Sequence, residues 1–137
     1  MFNRRLEAIL GITDLHSEHD LTRLVEKHLP LSSVESLLAH RVTHAEIYKL
    51  IVPRRTLVRR KSRHESLTRD ESDRAIRVVR IISQAEEAFG NDTKAAHWLR
   101  SSKTRLEGRT PLEMLRTETG ARIVEKMLLQ LDYGFAA

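Results

Sequence analysis

A run of basic side chains between residues 54 and 63 is the part of this sequence that most clearly carries chemistry. Six Arg and Lys residues and no acidic residue lie within these ten positions. The chain has a net charge of +5, with 24 Lys and Arg against 19 Asp and Glu. Without the run, the rest of the chain is close to neutral. The basicity is therefore one local patch, which predicts a local partner. A nucleic acid, an acidic protein surface and a merely solvated basic face are the alternatives for this run.

Two short helices with a tight turn between them are predicted to present this run. Thr43 and Glu46 have the spacing of a capping box, which marks a helix start. Pro53 then favours the start of a second helix, and that helix carries the basic residues. A short helix, a tight turn and a strongly basic helix are typical of a helix-turn-helix, whose second helix enters the DNA major groove. Leu57 is predicted to pack this basic helix against the first one.

The polar residues of the basic helix are the candidate DNA contacts. Arginine can bind a guanine edge through two hydrogen bonds, and other Arg and Lys residues neutralise phosphates. Arg55, Thr56 and Arg59 are predicted to reach the bases. No aromatic residue lies within the run, so stacking on single-stranded nucleic acid is not expected. The candidate set is Arg54, Arg55, Thr56, Arg59, Arg60, Lys61 and Arg63.

Helical spacing of apolar residues continues along the chain and predicts an all-α fold of about seven helices. A long helix is predicted over residues 71–89, ended by Gly90, and a last helix runs from about Gly120 to before Gly134. No segment alternates like a strand bounded by hairpin turns. Further helix starts are predicted from capping boxes at Ser32 with Glu35, Thr68 with Glu71 and Thr110 with Glu113, and from Asp92 as an N-cap.

No arrangement of residues predicts catalysis, a cofactor or a metal site. The chain has no cysteine, which excludes a thiol nucleophile, a disulfide and a thiolate zinc site. The histidine pairs at 16 and 19 and at 40 and 44 have helix-face spacing, but no third ligand joins them. A nucleophile elbow, a phosphate-binding Gly-rich loop and a dinucleotide fingerprint are all missing. We therefore predict a protein that is not an enzyme.

The composition predicts a folded protein of the cytoplasm. Apolar residues make up 40% of the chain and charged residues 31%, a balance typical of globular domains. The sequence shows neither a signal peptide nor a membrane span. Each half of a 137-residue chain buries little surface alone, so a dimer is expected.

The second half of the sequence carries a series of short motifs that resembles the Xre/MbcA/ParS antitoxin family. The first half is similar to the Xre-type helix-turn-helix of that family, in the segment Pro53-Arg-Arg-Thr-Leu-Val-Arg-Arg60. The resemblance covers about residues 20–137 and departs from the family at Ser101–Glu107, where a more Pro- and Asn-rich loop is common. In order, the motifs are Glu71-Ser-Asp-Arg74 with Arg77, Ala85-Glu-Glu-Ala-Phe-Gly90, Ala95-Ala-His-Trp-Leu-Arg100, Gly108-Arg-Thr-Pro-Leu-Glu113, Thr117-Glu-Thr-Gly-Ala-Arg122 and Tyr133-Gly134.

The resemblance implies a division of the chain into three parts. Residues 1–19 are an N-terminal segment, residues 20–70 an Xre-like helix-turn-helix DNA-binding domain, and residues 71–137 a connecting helix followed by a toxin-binding domain. It also implies a partner: a RES-domain toxin, encoded next door, that destroys NAD. The antitoxin obstructs the NAD pocket through its C-terminal region and represses the shared operon as a dimer or within a larger toxin–antitoxin assembly on double-stranded promoter DNA.

Toxin-facing residues are implied by the same motifs, although each has a simpler structural interpretation. Trp98 on an apolar helix face is typical of core packing, and Gly120 of close packing or a turn. For the whole chain, a stand-alone dimeric helix-turn-helix regulator and a protein–protein adaptor remain alternatives. The implied toxin-facing set is Trp98, Arg100, Gly108, Arg109, Thr110, Pro111, Asp132, Tyr133 and Gly134.

Overall fold

A computed structural model describes residues 4–131 and the backbone of Asp132, and every regular element in this range is helical. The predicted all-α fold is confirmed. The described range holds nine α-helices, against about seven predicted. One of the additional helices is α1, which lies in the N-terminal segment where no helix was predicted. The helices are α1 (Arg4–Leu10), α2 (Glu18–Lys27), α3 (Leu31–Ala39), α4 (His44–Leu50), α5 (Arg54–Arg63), α6 (Arg69–Phe89), α7 (Asp92–Leu99), α8 (Pro111–Met114) and α9 (Glu118–Asp132), with a 3₁₀ turn at Thr104–Leu106.

The chain divides into two compact units, residues 1–79 and residues 80–137. The boundary between these units lies inside α6. Apolar side chains along the first part of α6, such as Ala75 and Val78, are buried, and so are Ile81 and Ile82 further on. The sequence pattern of one continuous amphipathic helix therefore gives no sign of where one unit ends.

The first unit contains α1 to α5 and the beginning of α6. Helix α1 packs on α3, and the Ser36 hydroxyl donates a hydrogen bond to the Ala8 carbonyl at 3.4 Å. The start of α6 is tied to the α2–α3 junction, because the Leu29 N–H donates to the fully buried Ser72 hydroxyl at 2.8 Å. The Leu67 N–H in turn donates to the Leu29 carbonyl at 3.0 Å. These bonds satisfy both backbone groups of a buried residue between two helices.

Three of the predicted capping boxes are present. At Thr43, Thr68 and Thr110 the threonine hydroxyl accepts from the backbone N–H of the glutamate three residues later, and that carboxylate accepts from the threonine N–H. Pro111 occupies the first turn of α8, as expected. Helix α6 ends at Phe89, and Gly90 follows it with a φ of +62°, the conformation that favours glycine.

Two predicted helix starts are wrong by one or two residues. Helix α3 begins at Leu31 after an extended Pro30, whose carbonyl accepts from the Ser33 N–H at 3.0 Å, so Ser32 lies inside the first turn. Helix α7 is capped by Asn91, whose side chain accepts from the Lys94 N–H at 2.9 Å. Asp92 is therefore the first helical residue, where its negative charge is favourable near the helix N-terminus.

The second unit contains the rest of α6 and helices α7 to α9. Helix α8 packs against both α7 and α9. Gly120 allows the close approach of α9 to α8, since a Cβ at this position would lie 2.0 Å from the Met114 carbonyl oxygen. Its own N–H donates to the Thr117 hydroxyl at 2.9 Å. None of the helices in the described part of the chain is both long and apolar enough to cross a membrane.

Replacing Gly120 with alanine is expected to destabilise the protein by about 1–3 kcal/mol. An added methyl group usually stabilises a helix by roughly 0.5–1 kcal/mol, but here it meets a backbone carbonyl that no side-chain rotation can move. Urea unfolding followed by circular dichroism measures the change. Thr119→Ala, at the exposed neighbouring position, is the control and should change stability by less than about 0.5 kcal/mol. A Gly120→Ala protein as stable as the parent would contradict this account of the α8–α9 contact.

Candidate functional site

Helix α5 is anchored by one apolar residue and leaves most of its basic residues in solvent. It begins after the extended Pro53 and ends at His64, which is left-handed with a φ of +55°. Leu57 is 2% exposed, whereas its neighbour Val58 is 57% exposed. The prediction that Leu57 anchors this helix is thus in agreement with its burial.

The predicted DNA contacts fall into two groups by burial, half-buried and exposed. Thr56 is half-buried. Lys61 is exposed and forms an ion pair with Glu35 at 3.4 Å, a surface contact of small energetic value. At about 100° per residue, Arg55 and Arg59 lie on the face opposite Leu57. The exposed arginines are Arg54, Arg55, Arg59 and Arg63.

Arg60 differs from the other basic residues of α5 because it is bound inside the first unit. Its Nη2 donates to Glu71 Oε2 at 3.0 Å, and the two side chains are 14% and 7% exposed. Its Nε is buried without a hydrogen-bond partner among the described residues. The other carboxylate oxygen of Glu71 accepts from the Thr68 N–H at 2.9 Å. The predicted role of Arg60 as a DNA contact therefore competes with a buried ion pair that attaches α5 to the start of α6.

A second polar contact connects α6 to the turn before α5. Arg74 Nε donates to the carbonyl of Ile51 at 2.9 Å, and Ile51 is the C-cap residue that follows α4. The sequence predicted Glu71 as the capping-box partner of Thr68 and Arg74 only as part of a family motif, and it predicted neither of their contacts with the α4–α5 segment. Their spacing of three residues was the available signal, because it places both on one face of a helix.

In the second unit, Trp98 belongs to a small cluster at the surface of α7. Its ring centroid lies 5.8 Å from that of Phe89, and Lys103 Nζ lies 5.2 Å above the Trp98 ring. Burial lowers the pKa of Lys103, while attraction of its ammonium group to the ring favours the charged form. Trp98 is half-buried, so part of it packs, as its position on an apolar helix face indicated, and part is accessible.

The loop between α7 and α8 is closed by its own backbone. The Lys103 N–H donates to the Arg109 carbonyl, and the Gly108 N–H donates to the Lys103 carbonyl, both at 3.0 Å. Glu107 and Gly108 have φ values of +57° and +85°, which turn the chain back on itself. The buried Leu106 anchors the loop from below. These local hydrogen bonds hold the loop backbone in place, and the exposed side chains of the loop project from it.

The implied toxin-facing residues are not equivalent in this structure. Gly108 and Arg109 are exposed, and Arg100 is half-buried with one donor bonded to the Ala96 carbonyl at 3.2 Å. Thr110 and the buried Pro111 form the start of α8. Tyr133, Gly134 and the side chain of Asp132 lie outside the described residues.

Comparison with known proteins decides the family. Residues 20–80 match the antitoxin Xre-like helix-turn-helix domain, and residues 84–134 match the antitoxin Xre/MbcA/ParS C-terminal toxin-binding domain. An antitoxin Xre of Pseudomonas putida is 37% identical over 134 residues, which cover 98% of this chain and 84% of the relative. The chain belongs to the Xre/MbcA/ParS antitoxin family.

Two further antitoxins Xre match shorter stretches. One from Yersinia enterocolitica is 36% identical over 95 residues, covering 68% of this chain and 64% of the relative. One from Photorhabdus laumondii is 36% identical over 84 residues, covering 61% and 57% respectively. The antitoxin thus has a helix-turn-helix domain followed by a toxin-binding domain. Antitoxins of this type are binding proteins and not enzymes, in agreement with the sequence analysis.

Arg60→Met is expected to destabilise the antitoxin by about 3–5 kcal/mol, because it leaves the Glu71 carboxylate buried without its partner. Arg59→Met is the matched control and should change the free energy of unfolding by less than about 0.5 kcal/mol, since Arg59 is exposed. Urea denaturation of both variants makes the comparison. The double variant Arg60→Met with Glu71→Gln should recover part of the loss. Equal stability of the Arg60→Met and Arg59→Met proteins would show that the ion pair has no structural role.

Proposed function

We propose that this antitoxin binds and inhibits a RES-domain, NAD-degrading toxin and represses its own operon by binding promoter DNA through α5. The observation that carries the proposal is the pairing of a matched toxin-binding domain with a helix-turn-helix unit whose α5 exposes four arginines. A basic helix anchored by one buried leucine suits a groove that is lined by phosphates and base edges.

The proposed DNA-binding surface assigns different roles to different arginines. Arg55 and Arg59 lie on the outer face of α5, where a guanidinium group can bind a guanine edge with two hydrogen bonds. Arg54 and Arg63, at the two ends of the helix, together with Lys61, are placed to neutralise phosphates. Arg60 serves this surface indirectly, because its bond to Glu71 fixes α5 in the domain. A homodimer would present two such helices to half-sites about one helical turn apart.

The proposed toxin-binding surface is in the second unit. Gly108 and Arg109 are exposed in the closed loop before α8, and Arg100 and Trp98 are partly accessible near it. The C-terminal segment that begins at Asp132 is proposed to reach into the toxin and obstruct its NAD pocket. Since both NAD and promoter DNA are found in the bacterial cytoplasm, we place the antitoxin and its toxin there.

Co-expression with the adjacent open reading frame tests the toxin half of the proposal. The neighbouring product alone should stop growth and deplete intracellular NAD, and the antitoxin should bind it and restore both. Truncation of residues 133–137 is expected to weaken the rescue while promoter binding stays unchanged. Growth, NAD content and co-purification are measured together. A harmless neighbour that does not bind would refute the toxin assignment and favour a stand-alone dimeric regulator.

Charge reversal on α5 tests the DNA half. Arg55→Glu and Arg59→Glu should each weaken binding of duplex promoter DNA by about 10- to 100-fold at physiological salt. They should also lower the steepness of the salt dependence, because fewer counterions are released. Arg116→Glu makes the same charge change at an exposed residue of the second unit and should bind almost as the parent does. Fluorescence anisotropy over a salt series gives the dissociation constant and its salt dependence. Unchanged binding by both α5 variants would contradict the proposal that α5 binds DNA.

A further inference from the structure

Val58 is an apolar side chain in the middle of the most basic surface of the antitoxin. It is 57% exposed, compared with 45% for Ile123 and 42% for Leu129, the other exposed large apolar residues of the described chain. Arg55 precedes it by three residues and Arg59 follows it directly. Helix propensity does not favour a valine at this exposed position, since β-branched residues are poorer helix formers than leucine, arginine or lysine.

The geometry of α5 places Val58 on the face proposed to meet DNA. At about 100° per residue, Val58 lies about 100° around the helix axis from Leu57. Arg54 lies about 40° to one side of it, and Ser62 and Arg55 lie about 40° and 60° to the other. Ser62 is small, and its hydroxyl donates back to the Arg59 carbonyl at 2.9 Å, so it does not extend over the valine. This flank of α5 therefore exposes the two methyl groups of Val58, with the guanidinium-bearing residues Arg54 and Arg55 on either side.

This combination fits the floor of a DNA major groove in a T-containing sequence. The groove offers phosphates at its rims and guanine acceptors on its floor, and the C5-methyl of thymine is its apolar feature. A valine flanked by two arginines can pack on that methyl while the arginines bond neighbouring bases or phosphates. The charge of the flanking residues excludes a purely apolar ligand as the occupant of this face.

We propose that Val58 is a specificity-determining residue that recognises thymine by contact with its 5-methyl group. The inference rests on the proposed binding of promoter DNA by α5. It assigns sequence preference to a residue that makes no hydrogen bond through its side chain. Cytosine at the same position would present no methyl group to the valine, so the preference is for thymine over cytosine.

The proposal is tested by comparing promoter DNA that carries thymine methyl groups with the same DNA that lacks them. Because the whole upstream region is used, the operator need not be located first. The region upstream of the antitoxin gene is amplified once with dTTP and once with dUTP, and both duplexes are titrated with the antitoxin, alone and with the adjacent gene product. The parent should bind the thymine duplex more tightly, by roughly fourfold for each methyl contacted. Val58→Ala should bind the two duplexes equally, with an unchanged melting temperature because the side chain is exposed.

Ile123→Val is the matched control, because it removes a methyl group from an exposed apolar residue outside α5. It should keep the parent's preference for the thymine duplex. Equal binding of both duplexes by the parent would overturn the inference and leave DNA binding by α5 intact. A preference that persists in Val58→Ala, or is lost in Ile123→Val instead, would also overturn it. Failure of the parent to bind either duplex would refute the proposed DNA-binding function itself, and this inference with it.

Discussion

The attachment of α5 to α6 in the helix-turn-helix unit depends on the hydrogen bonds that the buried Glu71 carboxylate accepts. One oxygen accepts the Thr68 N–H and so starts α6, while the other accepts from Arg60 and so holds α5. Because a single planar group does both, the position of the basic helix follows from where α6 begins. Desolvation of the two charges offsets much of their attraction, so the pair contributes more to the orientation of α5 than to net stability.

The same stretch of α6 receives two more backbone segments of the first unit. Ser72 accepts from Leu29 at the α2–α3 junction, and Arg74 donates to Ile51 at the end of α4. Apolar packing alone tolerates small shifts between helices, whereas hydrogen bonds to single backbone groups define their positions. Buried leucine and valine side chains form the core of the unit. The polar side chains of α6 fix the positions of the helices of the helix-turn-helix relative to one another. The outer face of α5 takes no part in these contacts.

Features encoded locally could be predicted from the sequence, and features set by tertiary contacts could not. The capping boxes at Thr43, Thr68 and Thr110 were correct because each depends on residues three apart. Ser32 failed because the extended Pro30 starts its helix earlier, a competition between neighbours that the motif does not show. Arg60 could not be distinguished from the other cations of its run, since only the position of Glu71 in space separates a buried arginine from an exposed one. The family resemblance was predictable because its motifs recur in order over most of the chain.

Charge and shape therefore make different contributions to recognition by this antitoxin. The excess positive charge is confined to α5, while the rest of the chain is nearly neutral, so long-range attraction to a polyanion acts on one helix and orients the approach. Such attraction does not distinguish one DNA sequence from another. Arg60 forms a buried ion pair with Glu71, and Lys61 forms a surface ion pair with Glu35. On the proposed DNA-binding surface, sequence preference then comes from the exposed side chains of α5, and Val58 is the one whose contribution does not depend on charge.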